Sequence, residues 1–180
     1  MRKALYMFGI LDDSDVEWLS SNGSMRFLEV GEKLISQGKP IGSLFVVLNG
    51  ELQVYSGDTE IARLQSGEML GEISFVDSRP PLASVQAIVK TSVFGVNAEL
   101  LRRKLAKDVS FASRFYRAVA VFLADRLRVT TSRFGYGRAG QDSIDNTDPD
   151  ELHPELLETI DLAATRFDKL LRRLSAHIGR

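Results

Sequence analysis

Between residues 24 and 96 glycines cut the chain into short runs of β texture, and this punctuation limits the possible folds more than any other feature. Residues 26–30 are closed by Gly31, and residues 33–36 by Gly38. Residues 43–48 meet Asn49-Gly50, a strong signal for a two-residue hairpin. Residues 51–55 stop at Gly57-Asp58, and residues 60–64 at Ser66-Gly67. Residues 82–89 and 91–96 supply two more runs. Roughly eight short strands with turn signals every 8–12 residues predict a sandwich or jelly roll.

Helical patterns flank the β region. Asp12-Asp13-Ser14-Asp15-Val16-Glu17-Trp18-Leu19 reads as a short helix, with Ser14 as N-cap and Val16 and Leu19 facing the core, broken at Asn22-Gly23. Residues 98–105 form an amphipathic segment, and residues 108–110 can cap the next helix. In that helix Phe111, Phe115, Ala118/Val119, Phe122, Asp125/Arg126 and Val129 recur at helical spacing as far as about Phe134, roughly 36 Å of helix at 1.5 Å per residue. Gly135 to Gly140 ends it. Residues 135–150 are the expected flexible acidic linker, glycine-rich as far as Gly140 and polar and acidic from Gln141. A last amphipathic helix is expected at about residues 154–178, where Leu156/Leu157, Ile160, Ala163/Ala164, Phe167, Leu170/Leu171, Leu174 and Ile178 share one face. The expected class is therefore α+β: a jelly-roll β-barrel, a long α-helix, and a C-terminal amphipathic helix.

Composition removes several functions. A net charge of −1 argues against a strongly basic nucleic-acid footprint. There is no cysteine, so disulfides and thiolate metal sites are out, and a cytoplasmic location is expected. The N-terminal apolar run is too short for a signal peptide, and no run approaches the ~20 apolar residues of a membrane span. The two histidines, His153 and His177, both lie in the tail, so neither a His-rich metal centre nor a Ser/His pair can be built in the roll. No Gly-x-Ser-x-Gly or P-loop pattern occurs. No catalytic residue, metal or cofactor is expected.

One stretch carries chemistry: Leu70-Gly71-Glu72-Ile73-Ser74-Phe75-Val76-Asp77-Ser78-Arg79-Pro80-Pro81-Leu82-Ala83-Ser84-Val85. It has a Gly-Glu opening, a short apolar segment, a proline turn and a return into a β-branched run. It resembles the phosphate-binding cassette of the cyclic-nucleotide-binding domain family, in its bacterial catabolite-activator branch. Gly31, Gly38, Gly50, Gly67 and Gly71 also fall where that roll has tight turns. The resemblance implies that residues 7–134 form the cyclic-nucleotide-binding roll with its long helix. It carries Gly71 and Glu72 to the ribose side, with Glu72 accepting from the ribose hydroxyl. It carries the backbone at Ile73 and Ser74, the amide of Ala83 and the hydroxyl of Ser84 to the phosphate. Thr130 and Thr131 match hydroxyl residues that hold the base from the long helix.

The departure is at the arginine. Pro81 stands where the family has its phosphate-pairing Arg, and Pro has neither charge nor N–H. A charge-assisted hydrogen bond is worth about 1.5–3 kcal/mol, so its loss costs about ten- to a hundredfold in affinity. Arg79, two residues earlier, is the candidate replacement. Leu82 adds bulk where the family has a small residue.

These residues lead to the expectation of a non-enzymatic regulatory protein that binds cyclic AMP, cyclic GMP or another cyclic nucleotide and transmits its state through its C-terminal helices. A homodimer is expected, with residues 151–180 serving self-association or a protein partner, and with no DNA or membrane contact. Two alternatives stay open. The roll has lost cyclic mononucleotides and serves as a dimerisation or interaction module, or it binds a cyclic dinucleotide.

Overall fold

The computed structural model describes residues 7–133 and 160–178. Residues 7–10 are helical (α1), and α2 spans Asp13–Asn22. The strands are β1 Gly23–Leu28, β2 Lys33–Ile35, β3 Ser43–Asn49, β4 Glu51–Ser56, β5 Thr59–Gln65, β6 Met69–Leu70, β7 Ser84–Ala87 and β8 Thr91–Asn97. A short helix α3, Glu72–Asp77, interrupts them. Three helices follow: α4 Ala98–Lys107, α5 Val109–Arg133 and α6 Ile160–Ile178. The expected linker at residues 135–150 lies outside the described residues, as does the expected first turn of the last helix.

The strands form two antiparallel four-stranded sheets, ordered β1-β8-β3-β6 and β2-β7-β4-β5. This is the expected β-roll. Strand β3 explains how two cores form. Its side chains alternate. Val47 points into the apolar layer between the sheets with Leu28, Leu52, Leu64, Val85 and Val93. Leu44, Val46 and Leu48 point the other way, into a second core beneath the helices. A strand covered on both faces needs an unbroken apolar run, and Leu44-Phe45-Val46-Val47-Leu48 supplies one.

The structure corrects two local expectations. Asn49-Gly50 does not make a hairpin, because β3 and β4 lie in different sheets. It turns a corner of the roll. Gly50 has φ +100°, and a Cβ there would sit 2.4 Å from Thr91 Oγ1. Such a corner needs glycine for space as well as for backbone freedom. The tight hairpin is one connection later, between β4 and β5 across Gly57-Asp58. The N-cap of α2 is Asp12 rather than Ser14. Asp12 accepts from the Asp15 amide, and the Asp15 carboxylate accepts from the Asp12 amide, a reciprocal capping box. The Ser14 hydroxyl donates to Asp12 instead.

The helical layer packs as its periodicity predicts. Phe111, Phe115, Ala118, Val119 and Phe122 of α5 are buried with Val16 and Leu19 of α2. Asp108 caps α5 by accepting from the Phe111 amide. Arg114 reaches back from α5 and donates through Nε and Nη2 to the buried Asp15 carboxylate at 2.6 and 2.8 Å. The sequence left open whether the last helix packs on its own chain or on another. In the described residues Ala163, Phe167 and Leu170 of α6 lie buried against α1 and α2. Phe167 meets Phe8 at 5.3 Å between ring centroids, Arg166 pairs with Asp13, and Arg173 pairs with Glu17. Leu156 and Leu157 lie outside the described residues.

The Asp15–Arg114 pair joins the first described helices to α5, and Asp15 is 2% exposed. Removing one member of a buried pair leaves the other charge uncompensated. Asp15→Asn is expected to lower stability by about 1.5–3 kcal/mol, the range for a lost charge-assisted bond, because Arg114 keeps a second anion in Asp12 at 2.8 Å. Urea unfolding followed by circular dichroism measures it.

Candidate functional site

The stretch from Leu70 to Val85 runs from the end of β6 through α3 to the start of β7, and its first half lies against α5. Strand β6 ends at Leu70, and Gly71 turns the chain with φ +84°. A Cβ on Gly71 would meet Ser43 O at 3.0 Å, so this corner also excludes a side chain. The chain then enters α3, whose first residue is Glu72.

Glu72 is buried, 1% exposed. A carboxylate in such a place needs a partner, and Arg126 of α5 provides it. Arg126 donates through Nη1 to Glu72 Oε1 and through Nη2 to the Met69 carbonyl at 3.1 Å. The guanidinium also stacks over the Phe122 ring, one turn earlier on α5, at 4.8 Å. Two opposing effects act on the Glu72 proton. Burial raises its pKa, the Arg126 charge lowers it, and burial wins, so the carboxyl titrates above its ordinary value of 4.5.

Two further contacts fix α3. Phe75 packs edge-on against Phe115 of α5 at 5.9 Å. Arg102 of α4 covers the other side of the Phe75 ring at 4.6 Å and donates to the Phe75 carbonyl. Helix α3 is thus held by α4 and by α5 together. Ile73 and Val76 face outward, each about half exposed.

The second half of the stretch is tied elsewhere. Ser78 ends α3 at φ +59°. Arg79 is exposed; its backbone amide donates to Asp77, and its guanidinium makes no ion pair among the described residues. The Pro81 carbonyl accepts from the Gly38 amide at 2.9 Å. Leu82 projects into solvent, 85% exposed. Ser84 is buried at the start of β7, where its Oγ accepts from the Gln37 amide at 3.0 Å and its own O–H has no acceptor among the described residues. Ala83 precedes it at the rim. On α5, Thr130 is exposed and donates to the Arg126 carbonyl in its own helix; Thr131 is exposed one residue on.

Of the residues singled out from the sequence, Gly71 and Glu72 are brought under α5. Ile73 and Ser74 follow them in the first turn of α3. Ala83 precedes β7, and Ser84 opens it, opposite Tyr55 of β4. Arg79 stays in solvent. Arg126 was not singled out, although the sequence carried a signal for it. It is a charge on the stripe otherwise filled by Phe111, Phe115, Ala118 and Phe122. A cation at a core-facing helical position calls for a buried anion, and Glu72 is that anion.

With this geometry in view, comparison with known proteins decides the family. Residues 25–108 match the family model of the cyclic nucleotide-binding domain. The roll belongs to that family. A crystal structure of a cyclic nucleotide-binding domain from Methylobacillus flagellatus shares the fold at TM-score 0.67 and 21% identity, over 79% of this chain and 86% of that one. The N-terminal domain of a transcriptional regulator from Streptomyces coelicolor matches at TM-score 0.58 and 26% identity, over 76% of this chain and 96% of that one. A cGMP-dependent protein kinase of Eimeria tenella is 25% identical over 115 residues, 63% of this chain. The chain spans only 11% of that kinase's length. Among the described residues no acidic or histidine cluster could hold a metal, and no helix is long and apolar enough to cross a membrane.

The raised pKa of Glu72 has a definite sign for stability. Between the unfolded value of 4.5 and the higher folded value, the native state holds more protons than the unfolded state. The Glu72 contribution therefore grows as pH falls through that window, is complete below 4.5, and is lost as pH rises through the folded value. Urea melts of wild type and Glu72→Gln, run from neutral pH down to about 5, are expected to show the difference moving in favour of wild type as pH falls.

Proposed function

We propose that this protein is a non-enzymatic sensor that binds a cyclic nucleotide monophosphate at the Gly71–Ser84 corner and passes the bound state to its helices. The observation that carries this reading is the Glu72–Arg126 ion pair. It joins the part of the roll where the family places its ligand to the long helix that would report binding.

Glu72 accepts from the ribose 2′-hydroxyl, as the resemblance implies. The backbone at Ile73, Ser74 and Ala83 and the O–H of Ser84 face the phosphate. Thr130 and Thr131 lie on the segment of α5 that meets the base, with the Thr130 hydroxyl turning from its own helix to the ligand. A ligand at Glu72 competes for or reshapes the Arg126 contact, so α5 must adjust. Because Phe75 packs on Phe115, motion of α3 reaches the same helix. A ligand shifts such an equilibrium only by its difference in affinity for the two arrangements, and the ion pair is where that difference arises.

Calorimetry of the purified protein with cyclic AMP and cyclic GMP tests the reading. Heat of binding is expected with at least one of them, and Glu72→Gln is expected to weaken it by about ten- to a hundredfold. No heat from either at millimolar concentration would overturn it and leave the roll as an interaction module. Heat from a cyclic dinucleotide alone would reassign the ligand.

The same protein is proposed to be a homodimer through α5. Its outward side chains include Tyr116, Ala120 and Leu127, with Leu123 half-buried beside them. Tyr116, Ala120, Leu123 and Leu127 step by four, three and four, the spacing of a two-helix seam. Leu127 is 66% exposed and is not covered among the described residues. The apolar face of α6, by contrast, is already occupied by α1 and α2. Light scattering of Leu127→Glu is expected to give the monomer mass where wild type gives the dimer, with the circular dichroism spectrum unchanged.

A further inference from the structure

We propose that Arg126 is the phosphate-pairing cation of this site, taking the charge role that Pro81 leaves vacant. The inference rests on the cyclic-nucleotide reading above and names how that ligand's charge is met.

A cyclic nucleotide carries one negative charge into a corner already holding the Glu72 carboxylate. Some cation must face it, and the described residues allow few. Arg79 lies in solvent beyond Ser78 and two prolines, with only its backbone amide engaged locally. Arg102 is on the outer side of α3, committed to the Phe75 ring and carbonyl. Arg63 is paired with Glu60 on the edge strand. Lys33 is engaged over the Tyr55 ring, which lies opposite Ser84 in the sheet, and Lys39 beside Gly38 is exposed. Arg126 is bonded directly to the cassette, on Glu72.

Its geometry suits the task. A guanidinium has five N–H donors in a rigid plane. Two are spent, on Glu72 and on the Met69 carbonyl. The ring of Phe122 fixes the plane from one face. The side chain is still 30% exposed, so part of its donor edge is open. An arginine held in this way presents its remaining N–H groups without a search through rotamers, and the fork matches phosphate oxygens. It can therefore bond Glu72 and a phosphate oxygen together.

The consequence is a sensor whose charged phosphate contact lies on the long helix, while the roll supplies only backbone and hydroxyl donors. In a cassette with its own arginine, the phosphate is held by the roll and α5 follows. Here the ligand charge would act on α5 directly, and base, ribose and phosphate would all bear on residues within or bonded to that helix.

The test is calorimetry with cyclic AMP and cyclic GMP on the full chain, comparing wild type, Arg126→Gln, Pro81→Arg and the double variant. Position 81 keeps its carbonyl bond to Gly38 whichever side chain it carries. Arg126→Gln is expected to weaken binding by about ten- to a hundredfold, and Pro81→Arg in the same chain is expected to restore most of the loss. Arg126→Lys, which keeps a charge beside Glu72, serves if Arg126→Gln melts too low to assay, and a several-fold loss rescued by Pro81→Arg is expected. Equal affinity in wild type and Arg126→Gln would overturn the assignment and leave nucleotide binding intact. A loss that Pro81→Arg does not restore would also overturn it, assigning Arg126 to the support of Glu72 alone. No binding by wild type would overturn this inference together with the reading it rests on.

Discussion

A carboxylate with almost no access to water must be paired or neutral, and Glu72 meets that demand with Arg126. Much of the site's architecture follows from this pair. Glu72 opens α3, so its direction sets where that helix begins. Arg126 belongs to α5, so its reach sets how close the long helix lies to the roll. The Met69 carbonyl at the end of β6 accepts from the same guanidinium. Strand, short helix and long helix therefore meet at one charged group. The net contribution of such a pair to stability is small, because desolvation offsets attraction. Its effect is on placement, since any α5 position that separates Arg126 from Glu72 leaves a buried charge unmet.

Helix α5 is anchored at two points. Near its start Arg114 grips Asp15 of α2. Near its end Arg126 grips Glu72. The two arginines are about 18 Å apart along the helix at 1.5 Å per residue. Between them Phe115, Ala118, Val119 and Phe122 fill the second core, with Phe111 just before Arg114. The aromatic stretch is a close-packed contact that resists sliding. The Arg126 end depends on one ion pair and a ring stack. The proposed ligand would act at the Arg126 end, away from the fixed end that α2 holds. Helix α6 extends the fixed end, because its Phe167, Arg166 and Arg173 bind α1 and α2, and α2 holds Arg114.

Much of the roll was legible because its signals are local. Glycine corners, alternation on β4 and the unbroken apolar run of β3 each reflect a backbone or burial requirement within a few residues. Asn49-Gly50 shows the limit. The dipeptide marks a turn, but a turn that joins two strands of one sheet and a turn that joins two sheets have the same local chemistry. Only the packing of Gly50 against Thr91 separates them. Ser14 shows the same limit at a helix start. Ser and Asp are both good caps, and the reciprocal bond between Asp12 and Asp15 decided between them.

The site divides along the same line. The sequence by itself determined the cyclic-nucleotide fold, the Gly71-Glu72 opening and the absence of an arginine at position 81, because these are matters of residue identity and short spacing. The tertiary structure decided which charge Glu72 meets. Arg79 is 7 positions away along the chain and stays in water, while Arg126 is 54 positions away and lies against it. An ion pair across the core depends on how α5 docks, and docking is set by the summed burial of its aromatic face. The single arginine carries too little of that energy to announce its partner in advance.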